Sequence, residues 1–102
     1  MLNKIVSNKL GEIKNLLNKY KVKRAYAFGS VCTERFNDKS DIDLLIAFQE
    51  GLNPIEYGEN YFALADALEK LFHRHVDLVT EPSLHNPYFI QSVNKTKTPI
   101  HE

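Results

Sequence analysis

Asp41-Ile42-Asp43-Leu44-Leu45-Ile46-Ala47-Phe48 is apolar at every position after its second acid. A run of that length without polar alternation predicts a strand buried on both faces, and hence a central strand under helices. Upstream, Val22 to Phe28 predicts a strand with Val22, Arg24, Tyr26 and Phe28 on one side and the small Ala25 and Ala27 on the other. Gly29-Ser30 ends it sharply and opens a short helix at Val31, and the polar stretch to Ser40 closes in a turn over Asn37 to Ser40. Downstream, Pro54 is placed as the first residue of a helix to about Phe72, with Tyr57, Tyr61, Leu64, Ala65, Leu68, Leu71 and Phe72 as its apolar stripe. His75 to Thr80 predicts a third strand, and the single long helix before it is a right-handed crossover that sets it beside the second. Pro82, Asn86 and Pro87 mark a turn-rich segment before a short helix around Tyr88 to Val93. Thr98 to His101 predicts a last strand, confined to an edge by Pro99. At the front, Leu2, Ile5, Val6, Leu10, Ile13, Leu16, Leu17 and Tyr20 recur at helical steps, an amphipathic helix with lysines outside. This order predicts an α/β (α+β) domain, a mixed sheet with helices packed on it, with residues 1–102 forming one unit.

The 102 residues carry 13 basic and 13 acidic side chains, a formal net charge of zero. That balance argues against a protein that coats nucleic acid through bulk charge. It also favours self-association, such as a homodimer, or a partner protein. The single Cys32 excludes a disulfide framework and a multi-cysteine zinc site, and a lone thiol fits the cytoplasm. No stretch is apolar enough for a signal peptide or a membrane span.

Three carboxylates stand where packing has no use for them. Asp41 and Asp43 are two apart at the start of a strand, so they share a face about 7 Å apart at the Cα level. Charges in so apolar a strand need a partner, and a hard cation such as Mg²⁺ suits carboxylate oxygens. Two bridging acids also suit a pair of metals used for in-line phosphoryl displacement. Asp77, between Val76 and Leu78, converges on the pair if its strand lies alongside; the plain alternative is that these acids cap strand ends or pair with Arg74 and lysines. Gly29-Ser30 lets backbone approach a ligand closely and offers N–H and hydroxyl groups to phosphate oxygens. His73 and His75 lack a third ligand, Cys32 lacks a nucleophile's partners, and Tyr57, Tyr61 and Phe62 fit a helix core better than a base-stacking platform. The lysine-rich segment before Ala25 reads as a solvated helix face.

Phe28-Gly29-Ser30, Ser40-Asp41-Ile42-Asp43-Leu44-Leu45 and Val76-Asp77-Leu78 together resemble the nucleotidyltransferase superfamily related to DNA polymerase β. More closely, they resemble its minimal members, the antitoxin half of bacterial HEPN–nucleotidyltransferase toxin–antitoxin pairs. The resemblance runs from the leading helix to Pro99 and implies a palm-like sheet that uses ATP with Mg²⁺, two ions, to transfer a nucleoside monophosphate to a hydroxyl. It implies that Asp41 and Asp43 hold the metals, that Asp77 completes the site and helps activate the attacking hydroxyl, and that Gly29 and Ser30 grip the nucleotide phosphates. After the serine, small members usually carry an aromatic residue, Ala, Arg and Gly; here stand Val31, Cys32, Thr33 and Glu34, and Arg35, two places late, takes the part of the phosphate clamp. The implied activity moves AMP from ATP to a protein hydroxyl, a tyrosine of a partner HEPN toxin. A binding-only antitoxin that covers its toxin is the alternative, and a substrate-binding fragment serving a separate subunit ranks last.

Overall fold

The computed structural model describes residues 2–102, and among the described residues the elements follow the expected order. They are α1 (Lys4–Ser7), α2 (Leu10–Lys19), β1 (Val22–Phe28), β2 (Ile42–Phe48), α3 (Pro54–Phe72), β3 (Val76–Thr80), α4 (Pro87–Thr96) and β4 (Thr98–His101), with 3₁₀ turns at Gly29–Cys32 and Glu81–Ser83. The sheet order is β3-β2-β1-β4. β2 runs antiparallel to β1 and parallel to β3, and β4 closes the far edge antiparallel to β1. β2 is therefore central, and the crossover through α3 sets β3 against it in parallel, as its linkage requires. Pro99 does sit on an edge strand.

Strand alternation divides the core in two. Ile42, Leu44, Ile46 and Phe48 of β2, with Val76, Leu78, Ala25 and Ala27, pack under α1, α2 and α3 against Val6, Ile13, Leu17, Leu64, Leu68 and Phe72. The opposite face holds a smaller cluster, Phe28, Leu45 and Val93, flanked by Tyr26, Val79 and Leu84 and covered by α4.

Three expectations are corrected. The leading helix is two helices, broken at Asn8 and Lys9, where Asn8, a residue poor in helix interiors, caps α1. The break lets the Asn3 N–H reach the Val31 carbonyl at 2.8 Å and buries Val6 in the same cluster as Val31. In β1 a register shift between Val22 and Arg24 turns Val22 to the side of Ala25 and Ala27, away from Tyr26 and Phe28. The helix expected around Tyr88 to Val93 runs from Pro87 to Thr96, capped by Asn86, whose side chain accepts the N–H groups of Tyr88 and Phe89. Among the described residues no helix is long and apolar enough to cross a membrane.

Candidate active site

Both strands that carry the acids begin at one end of the sheet, where β1 ends. Asp43 is registered against Phe28 of β1 on one side and against Asp77 of β3 on the other. Alternation turns Asp43 and Asp77 to the α4 face, the side of Leu45 and Val79 rather than of Ile42, Leu44 and Leu78. Asp41 and Asp77 are exposed, and Asp43 is half-buried. Burial, then the carboxylates of Asp77 and Asp41, push the Asp43 carboxyl up to about 6, against the opposing pull of His75. Asp43 thus feels both of its acidic neighbours. Among the described residues, no three acidic, histidine or cysteine side chains already stand arranged to hold a metal ion. The donor set still fits a hard divalent cation, since it is all carboxylate oxygen and carries a repulsion that a cation would relieve.

Arg74 does not pair with these acids. Its Nη1 donates to the carbonyls of Ser40 at 2.8 Å and Asn37 at 3.2 Å, and its guanidinium lies 4.7 Å from the Phe36 ring. It thereby anchors the loop that delivers Asp41. His75 bonds Glu69 at 2.9 Å, and His73 is the left-handed cap of α3, so the two histidines serve the helix end.

The turn after β1 is built around Gly29. Its φ is +75°, a conformation that side chains rarely adopt, and a Cβ there would come within 2.4 Å of an Asp43 carboxylate oxygen. The glycine thus lets backbone and acid meet. Its N–H does not point free toward a ligand, as the sequence suggested, but donates to Thr96 Oγ1 at 2.7 Å. Beyond the turn, Gly29, Ser30, Thr33 and Arg35 line an open cavity of about 370 Å³ together with Ser92, Lys95 and Thr96 of α4. Arg35 thus lies beside the Gly-Ser turn. The α4 residues were missed by sequence reasoning; their spacing at i, i+3 and i+4 marks one helix face, but nothing local says what that face meets.

Of the aromatic residues of α3, Tyr57 packs on Phe48 at 4.8 Å and the Tyr61 hydroxyl donates to the Leu78 carbonyl at 2.6 Å. Phe62, expected in the core, is 71 % exposed and borders an apolar cavity of about 420 Å³ between α3 and β3, apart from the acids.

Residues 11–102 match the family model described as polymerase beta, nucleotidyltransferase. A protein of Methanocaldococcus jannaschii named "putative protein adenylyltransferase" is 38 % identical over 94 residues, covering 84 % of this chain and 92 % of its own. Among solved structures, a "putative minimal nucleotidyltransferase" superposes with a TM-score of 0.75 at 29 % identity, over 97 % of this chain and 96 % of that one. The antitoxin complex of a tri-AMPylated Shewanella oneidensis HEPN toxin superposes with a TM-score of 0.58 at 26 % identity, over 92 % of this chain and 70 % of the matched one.

Proposed function

The chain belongs to the polymerase beta nucleotidyltransferase family, and we propose that it is a metal-dependent protein adenylyltransferase and antitoxin that moves AMP from ATP to a tyrosine of a HEPN toxin. The observation that carries this reading is the register of Asp43 against Asp77 with Gly29 pressed on Asp43. Acids for a cation and a turn for phosphates meet within one strand width. The protein-directed part is supported by the relative named a protein adenylyltransferase and by the likeness to a structure in which an antitoxin accompanies a tri-AMPylated HEPN toxin. Ile55 and Phe62 of α3 and Tyr88 of α4, all largely exposed, leave apolar surface for such a partner.

In this reading Asp41, Asp43 and Asp77 hold Mg²⁺, which when bound supplies charge neutralisation on the phosphates and acidifies the attacking hydroxyl. The tyrosine oxygen attacks the α-phosphorus of ATP and the bond to the bridging oxygen of the β-phosphate breaks. Asp77 takes the hydroxyl proton, and pyrophosphate leaves. Gly29, Ser30 and Arg35 orient the phosphates, so that attack and departure lie in line.

The direct test incubates the protein with ATP, Mg²⁺ and a HEPN toxin encoded beside it, and then weighs the toxin. Mass gained in steps of one AMP, lost with a chelator, is the expected result. A toxin of unchanged mass that is nevertheless silenced would replace this reading with a binding-only antitoxin.

A further inference from the structure

We propose that Arg74 is a positioning residue for the acids: it fixes the Ser40–Asp41 peptide, and so sets how Asp41 meets a divalent cation shared with Asp43 and Asp77. The proposal rests on the metal-dependent reading above. Three observations carry it.

The first is how unequally the acids are held. Asp43 and Asp77 face each other within the β2–β3 ladder, which begins at the pair Ile42–Val76. Asp41 lies one residue before β2, outside that ladder. Its side chain is exposed, and among the described residues it is in no ion pair. Its place therefore depends on the backbone that leads into it.

The second is what holds that backbone. Residues 37–40 close on themselves: the Asn37 N–H donates to Ser40 Oγ at 3.1 Å, and the Ser40 N–H to the Asn37 carbonyl at 3.0 Å. The closed turn then presents both its Asn37 and its Ser40 carbonyl to one nitrogen, Nη1 of Arg74. Two steps beyond the pair Ile42–Val76, Arg74 stands opposite Ser40. Its side chain thus carries the pairing on where the backbone ladder has stopped. Phe36, whose ring meets the guanidinium, packs on the main core and ties the loop at a second point. Arg74 is also three residues ahead of Asp77, so it joins the strand of one acid to the loop of another.

The third is a cost. Arg74 Nε is buried and finds no acceptor among the described residues. An unpaired buried donor lowers stability, so stability alone does not account for an arginine here. A guanidinium that fixes the peptide next to a metal-binding carboxylate does.

The test is Mn²⁺ binding to the full chain without nucleotide or toxin, followed by electron paramagnetic resonance of the free ion. Loosening a group behind a metal ligand weakens the metal about 10–100-fold, and Arg74→Met should fall near the lower value. Arg74→Lys, whose ammonium has donors for both carbonyls, should recover most of that loss. The decisive readout is a double-mutant cycle. Asp41→Asn removes the arm that Arg74 positions, so adding Arg74→Met to it should bring no further loss. Asn53→Ala, which removes the cap of α3 at the far end of the sheet, controls for lowered stability and should bind Mn²⁺ as the parent does. Should Arg74→Met not fold, the same cycle is run with Phe36→Leu, expected to weaken Mn²⁺ about 2–5-fold. Parental affinity in the variant that carries the cycle, or losses that multiply in the double variant, would overturn the positioning role. If Asp43→Asn weakens Mn²⁺ while Arg74→Met does not, only this assignment falls. If the parent itself binds no Mn²⁺, the metal-dependent reading falls with it.

Discussion

Gly29 and Asp43 are best understood as one unit. The left-handed backbone at Gly29 brings the chain so close to Asp43 that any side chain would displace the carboxylate. A substitution here disturbs the acid before it reaches any phosphate, and adds backbone strain of about 1–2 kcal/mol. Asp43 bears strain of its own. Folded, it keeps its proton to about pH 6; unfolded, it releases it near 3.8. Between those values the folded chain binds more protons than the unfolded one, so stability falls as pH rises through that window and is level above it. The shift corresponds to at most about 3 kcal/mol, and screening in so open a place reduces it to about 1. Asp43→Asn should therefore raise the metal-free melting temperature at pH 7 by roughly 4–8 °C, with the gain vanishing near pH 4, while abolishing AMP transfer. Scanning calorimetry at the two pH values checks this, and a melting point unmoved at pH 7 would mean that the acids do not strain one another.

At the scale of elements, α4 decides how the site is walled. It is held by its Asn86 cap, by Val93 in the smaller core and by an edge-on contact of Phe89 with Phe28 at 6.0 Å. Asn86→Ala should cost about 1 kcal/mol and lower the melting temperature by several degrees, with Asn86→Asp restoring it; thermal unfolding by circular dichroism is the check. No change would leave packing alone in charge of α4. The central place of β2 was legible in the unbroken apolar run after Asp43, and the parallel β3 in the single helix between them. The bulge near Lys23 was not, because it answers to a distant partner, the register with β2. The break at Asn8 leaves its mark in a residue poor in helix interiors, but the apolar spacing on either side hides it. The same holds for the site. The acids and the Gly-Ser turn announce themselves by type and spacing, whereas Lys95 and Thr96 are ordinary helix residues until the fold carries them to Gly29. Arg24 stands in a basic stretch of sequence, yet its two bonds to Glu81 tie β1 to the turn after β3 and hold the Glu81 carboxyl below its ordinary value.

For the whole molecule, the question is whether it silences a partner by changing it or by covering it. Asp77 separates the two, because on the proposed roles it serves the proton transfer, whereas Asp41, Asp43, Gly29, Ser30 and Arg35 remain to hold Mg·ATP when it is removed. Asp77→Ala should retain ATP binding, transfer AMP at least about 100-fold more slowly and leave the toxin active at equal concentration. Toxin activity and toxin mass measured on the same mixture decide it; full inhibition without added mass would promote the covering role. The bond from the Gly29 N–H to Thr96 has a further consequence, for the order in which the protein comes into being. It joins residues 67 apart in sequence, and β1 gains its outer neighbour only from Thr98 to His101. In folding, Asp43 pairs with Asp77 across 34 residues, but the turn stays unlatched until Thr96 reaches Gly29 across 67. Closing so long a loop is the slow kind of folding step, so the Gly29 turn takes its final shape last, after the acids are already aligned.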